Sequence, residues 1–188
     1  MRATGQLRYE RGMAHSLLLI PVPELEFVVR PRLERRFPEQ LPLDQDELIA
    51  YITLLGPFAD LDAIDDGLVA ELQSFFSDVL PFGFSLTGIS VFPGGTTYLS
   101  PEPAAPFRQL THELMRRFPE YPPYGGEFSD VIPHLTVPIP AGEDAEQLRF
   151  EVGPRLPISA HAREARLYWW EPHHHRTLET FTFGTAAA

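Results

Sequence analysis

Pro133-His134-Leu135-Thr136-Val137 repeats, with one change, the pattern of Ala50-Tyr51-Ile52-Thr53-Leu54. Each stretch reads as a strand carrying a polar side chain, an aliphatic spacer and then threonine. Residues two apart on a β-strand point to the same face, so each stretch sets a proton-handling group beside a hydroxyl. Two histidine versions facing one another would form an acid–base pair. Here the first carries tyrosine, whose phenol, with an ordinary pKa of about 10, donates a proton at neutral pH but accepts one poorly.

The sequence around these two strands alternates strands with helices. His15 to Val22 is an apolar run short enough for a buried strand. Pro23 opens a helix to Phe37, with Leu25, Val28, Val29 and Leu33 at helical spacing, and Pro38 ends it. The first motif strand, Ile49 to Leu55, stops at Gly56-Pro57. Asp62 to Val79 reads as a second helix, with acids at its start where the helix dipole favours them. Phe82 to Phe92 alternates, turns at Pro93-Gly94-Gly95 and returns at Thr96 to Leu99, a hairpin signature. Pro103 to Phe118 is a third helix, with Phe107, Leu110, Leu114 and Phe118 as its stripe.

The second motif strand spans Pro133 to Ile139, and Ala145 to Leu148 is a short helix or turn. Ile158 to Ala162, Ala165 to Trp170 and Arg176 to Phe183 complete the strands. Strand–helix–strand followed by hairpin occurs twice. The expected fold is α+β: two pseudo-symmetric lobes of antiparallel sheet with flanking helices and a cleft between them. Residues 1–12 are polar without a period and read as a flexible arm; residues 13–188 read as one bilobal domain.

Composition narrows the function. The chain has 188 residues and no cysteine, which excludes disulfides and thiolate metal sites. A hydrophobic fraction of 44% with 14 phenylalanines is ample for a globular core. No apolar run reaches the roughly 18 residues of a membrane span, and no signal peptide is evident, so a cytoplasmic protein with no membrane partner is expected. A net charge of −11 repels a long phosphate backbone. The expected partner is therefore a small molecule in the inter-lobe cleft, not a long nucleic acid, with the protein a monomer or weak dimer.

The ordered set of motifs resembles the 2H phosphoesterase superfamily, which includes the 2′-5′ RNA ligase-like cyclic phosphodiesterases. Leu17 to Pro23 resembles the first strand of that family, and Ile52 to Phe58 the region of its first motif. Tyr98 to Pro103, with Phe107-Arg108, resembles its central segment, and Phe118 to Gly126 with Val131 to Thr136 resembles the approach to its second motif. The resemblance implies two lobes around a cleft, each contributing a His-x-Thr or His-x-Ser strand. One histidine takes a proton from the nucleophile and the other protonates the leaving oxygen. The hydroxyls hold the phosphate, and neither metal nor cofactor is required. Carried over, His134 and Thr136 match the second motif and Thr53 matches the first; Tyr51 stands where the first histidine is expected.

The candidate catalytic residues are thus His134 and Tyr51, and the candidate substrate-binding residues Thr53, Thr136, His15, Tyr98 and Tyr124. A lone His-Leu-Thr on a buried strand is more often a core histidine than a catalytic one, and a lone tyrosine more often core filling. His173-His174-His175 suggests a metal tract by composition, but adjacent turn residues diverge and no Asp or Glu pair completes a ligand set. His112 falls on the solvent face of its helix. Of Trp169 and Trp170, alternation puts one in the core and leaves the other to wall a pocket.

Three functional readings follow. The protein is a phosphoesterase on a small cyclic or 2′-5′-linked nucleotide, with Tyr51 and His134 sharing the proton work. Alternatively, the cleft performs isomerisation or ring closure on a small apolar molecule, or it only binds a ligand. Residues 49–60 and 127–147 contain no Lys or Arg, with Arg108 and Arg163 the nearest in sequence. That poverty of cations near the motifs favours the apolar substrate.

Overall fold

The computed structural model describes residues 14–126 and 131–185. The expected arm, residues 1–12, lies outside the described residues. Chain order is β1 (His15–Pro21), α1 (Glu26–Arg36), β2 (Tyr51–Leu55), α2 (Asp66–Ser77), β3 (Phe82–Val91), β4 (Thr97–Glu102), α3 (Ala105–Arg117), β5 (Leu135–Thr136), α4 (Ala145–Val152), β6 (Ile158–Ala162), β7 (Glu164–Trp170) and β8 (Arg176–Thr182). The architecture is α+β, as the alternation predicted.

The strands form one antiparallel sheet in the order β6-β3-β4-β5-β2-β1-β7-β8. The two motif strands, β5 and β2, lie side by side at its centre. On one flank stand β4, β3 and β6; on the other stand β1, β7 and β8. The halves are therefore related by an exchange of β2 with β5. The first half takes its strands from both ends of the described chain and the second from its middle.

Three expectations are corrected. The second motif strand is a two-residue ladder at Leu135–Thr136 rather than Pro133 to Ile139. Pro133, Pro138 and Pro140 lack the N–H that a ladder needs, and beyond Thr136 only the Val137 N–H continues the pairing, donating to the Thr97 carbonyl at 2.9 Å. The second helix begins at Asp66, because the Asp65 carboxylate accepts the Leu68 N–H at 2.8 Å and caps it there. The helix expected to end at Leu148 runs on to Val152, burying Leu148 and Val152 along one side.

Several long-range hydrogen bonds fix β2 in place. The Glu26 carboxylate, on the first turn of α1, accepts the N–H groups of Ile49 and Ala50, both at 2.6 Å. The Thr111 hydroxyl of α3 donates to the Leu54 carbonyl at 2.9 Å. The Ser16 hydroxyl donates to the Ala59 carbonyl at 2.5 Å, and the Phe58 N–H donates to the Ser16 carbonyl at 2.7 Å. Ile52, Leu54 and Leu135 point into the core with Leu72, Phe76 and Phe107. Alternation then turns Tyr51, Thr53, His134 and Thr136 to the opposite face.

Candidate active site

Ile52 pairs with Leu135 across the β2–β5 ladder. In an antiparallel register this places Thr53 opposite His134 and Tyr51 opposite Thr136. Directly opposed side chains have Cβ atoms about 4.5–5.5 Å apart. The two motifs thus make one patch of four functional side chains, with the two proton carriers on a diagonal.

The patch lies in a cavity of about 410 Å³. His15, Tyr51, Thr53, Tyr124, His134 and Thr136, all singled out from the sequence, line it together. Tyr98 does not line it. Its ring packs behind the site, stacked on Phe92 at 4.0 Å, and the two rings meet His134 edge-on at 5.6 and 4.9 Å. Tyr124 holds a left-handed backbone (φ 51°), and its N–H donates to the Gly56 carbonyl at 2.8 Å.

His134 is half-buried, and its Nδ1 lies 2.7 Å from the Ile132 carbonyl oxygen. A carbonyl only accepts, so Nδ1 carries the proton and the neutral ring keeps its lone pair on Nε2. Burial pulls the pKa of His134 below the ordinary histidine value, while the Ile132 hydrogen bond acts in the opposite sense. The outcome is an oriented imidazole that is neutral at pH 7.

Three further residues line the cavity: Trp170, one of the two tryptophans that the sequence offered as a pocket wall, and two that it did not select for the site. Trp170 lies between His15, stacked at 5.4 Å, and His175, tilted at 5.1 Å. Both tryptophans are buried, not one: Trp169 donates its indole N–H to Glu171 at 3.1 Å, and Trp170 walls the cleft. His175 arrives from the β7–β8 turn, where the His173 N–H donates to the Glu39 carbonyl at 3.1 Å. It is 6% exposed, and burial, with the charges of His15 and His173, pushes its pKa down to about 4. Among the described residues no group of three His, Asp or Glu side chains is arranged to hold a metal ion. His112 is exposed on α3, as expected.

Arg36 is the third, and it alters the electrostatic expectation. It comes from the last turn of α1, with its guanidinium 4.6 Å from the centre of the Phe37 ring. Among the described lining residues it is the one fixed cation, beside three imidazoles and no carboxylate. Arg108 lies elsewhere, on the exposed face of α3. The cleft is thus locally suited to an anion within a protein of net charge −11.

A sequence model described as the 2′-5′ RNA ligase superfamily matches residues 26–174. No curated protein matches by sequence. Among solved structures, the fold is similar to TT0787 of Thermus thermophilus, with a TM-score of 0.58, 17% identity, and 93% of this chain and 100% of that one covered. It is also similar to E. coli LigT complexed with 3′-AMP, with a TM-score of 0.55, 17% identity, and 90% and 97% covered. E. coli LigT complexed with NADP+ aligns with a TM-score of 0.53, 16% identity, and 92% and 99% covered. At these identities the structural likeness establishes the fold. No helix among the described residues is long and apolar enough to cross a membrane.

Proposed function

The chain belongs to the 2′-5′ RNA ligase superfamily, and from that premise we propose that it cleaves a small phosphodiester by side-chain acid–base catalysis. His134 is the general base and Tyr51 the general acid. The observation that carries this reading is the four-residue patch, Tyr51, Thr53, His134 and Thr136, in a cavity whose described lining residues include Arg36 and no carboxylate.

The roles follow from protonation. The lone pair on Nε2 of His134 faces no protein donor that would occupy it among the described residues, so it can take the proton of an attacking water or hydroxyl. Tyr51, a poor base at neutral pH, is a competent donor to the leaving oxygen. Thr53 and Thr136 donate hydroxyl hydrogen bonds to the non-bridging oxygens, and Arg36 offsets the phosphate charge.

A second reading has an observation of its own. Leu17, Val29, Leu33, Ile49, Val137 and Ile139 also line the cavity, which suits proton transfer, isomerisation or cyclisation on a largely apolar small molecule. Turnover of a nucleoside 2′,3′-cyclic phosphate separates the two. Hydrolysis that vanishes in His134→Ala supports the phosphodiesterase; no hydrolysis by the wild-type protein overturns it.

A further inference from the structure

Tyr51 is backed by a second phenol. Tyr168 pairs with Leu17 of β1, and its ring centroid lies 5.9 Å from that of Tyr51 with the planes tilted by 44°. Tyr168 is 1% exposed, and its hydroxyl has no hydrogen-bond partner among the described residues. A buried hydroxyl left unpaired carries a free-energy penalty, and such groups are rare enough to need a reason. Packing supplies none, because phenylalanine would fill the same space without the penalty.

The surroundings keep this hydroxyl protonated. Burial raises the Tyr168 pKa well above that of an ordinary phenol, and negative charge at Tyr51, then at Glu47 and Glu26, raises it further. Among the described residues Arg30 opposes them, and the His175 ring, 6.3 Å away edge-on, is neutral at pH 7. The Tyr168 O–H is therefore an unspent donor on a ring that packs beside the ring of Tyr51.

We propose that Tyr168 is a positioning residue for the acid step, donating its O–H to the Tyr51 oxygen as that oxygen becomes a phenolate. The inference rests on the acid role given to Tyr51 above. Water adds to phosphorus while His134 Nε2 takes its proton. The bond from phosphorus to the leaving oxygen breaks, and that oxygen takes the proton of Tyr51. Afterwards the His134 imidazolium returns a proton through solvent to the Tyr51 phenolate. The Tyr168 hydroxyl, idle in the ground state, gains a charged acceptor in the transition state, so it acts on kcat rather than on KM.

Tyr168→Phe in the full chain tests this, because the ring stays and only the hydroxyl is lost. Three results are expected: an unchanged or higher Tm, a kcat on a nucleoside 2′,3′-cyclic phosphate lower by on the order of 10- to 100-fold at unchanged KM, and Tyr51 ionising at higher pH. The last is read as tyrosinate absorbance against the Tyr51→Phe counterpart of each protein, since a hydrogen bond to the charged form favours that form. An unmoved tyrosinate titration overturns the inference, whether or not kcat or Tm changes. The titration needs no turnover, so a wild-type protein inert to phosphodiesters would count against the proposed activity while the coupling of the two phenols is still decided.

Discussion

Thr53 stands opposite His134 where the two central strands meet, and Tyr51 stands opposite Thr136 in the same register. Each threonine thus faces the proton carrier of the other half. In the proposed mechanism a phosphate held by both hydroxyls is thereby flanked by a base on one side and an acid on the other. Removing the base is the simplest check. His134→Ala is expected to lower kcat by on the order of 10²- to 10⁴-fold, measured on a nucleoside 2′,3′-cyclic phosphate, while Thr53→Val acts mainly through KM.

The pH dependence follows from burial of His134. Its pKa lies below the ordinary value, and the base must be neutral to act. The kcat/KM profile should therefore rise with pH, with its acid limb centred below the ordinary histidine value of about 6.5, and be level at neutrality. An acid limb centred above that value would mean that a different group is the base.

In the proposed mechanism Tyr51 delivers the proton to the leaving oxygen. Tyr51→Phe keeps the ring against Tyr168 but removes the donor, so kcat should fall by on the order of 10²-fold or more. Tyr51→His supplies an imidazolium acid instead. Activity should persist in that variant with an alkaline limb that begins at lower pH than in the wild-type protein. Full activity in Tyr51→Phe would reduce Tyr51 to core filling.

Much of this arrangement is written locally in the chain. Alternation located β6 to the residue, and the paired His-x-Thr and Tyr-x-Thr patterns marked both central strands. Arg36 and His175 were not readable in that way, because they reach the cleft from α1 and from the turn after β7. Only the docking of those elements brings them beside residues far away in sequence. The expectation of an apolar substrate failed to register Arg36 for the same reason: charge counted along the motif strands misses a cation delivered by a helix. One usable signal was present, since Arg35 and Arg36 end the helix just before the first motif strand.

Arg36 separates the two chemical readings. A charge-assisted hydrogen bond to phosphate contributes about 1.5–3 kcal/mol, so Arg36→Ala should raise KM for an anionic substrate by on the order of 10-fold or more. The remaining binding should also be less sensitive to salt. An apolar substrate would be bound equally well by both proteins, which isothermal titration at two ionic strengths would reveal.

The depressed pKa of His175 makes the fold itself sensitive to acid. In the folded chain its pKa is about 4, against about 6.5 when unfolded. Between these values the unfolded state binds the proton and the folded state does not, so stability falls as pH drops through that window. Above it, both states hold a neutral ring and the effect vanishes. The loss attributable to His175 by pH 4 is on the order of 3 kcal/mol. His175→Phe keeps an aromatic ring against Trp170 and removes the titrating group. Urea unfolding at steps from pH 7.5 down to pH 4 should therefore show a shallower decline for the variant, with the two curves diverging only below about pH 6.5. Parallel curves would mean that the folded chain does not hold the His175 pKa below its unfolded value.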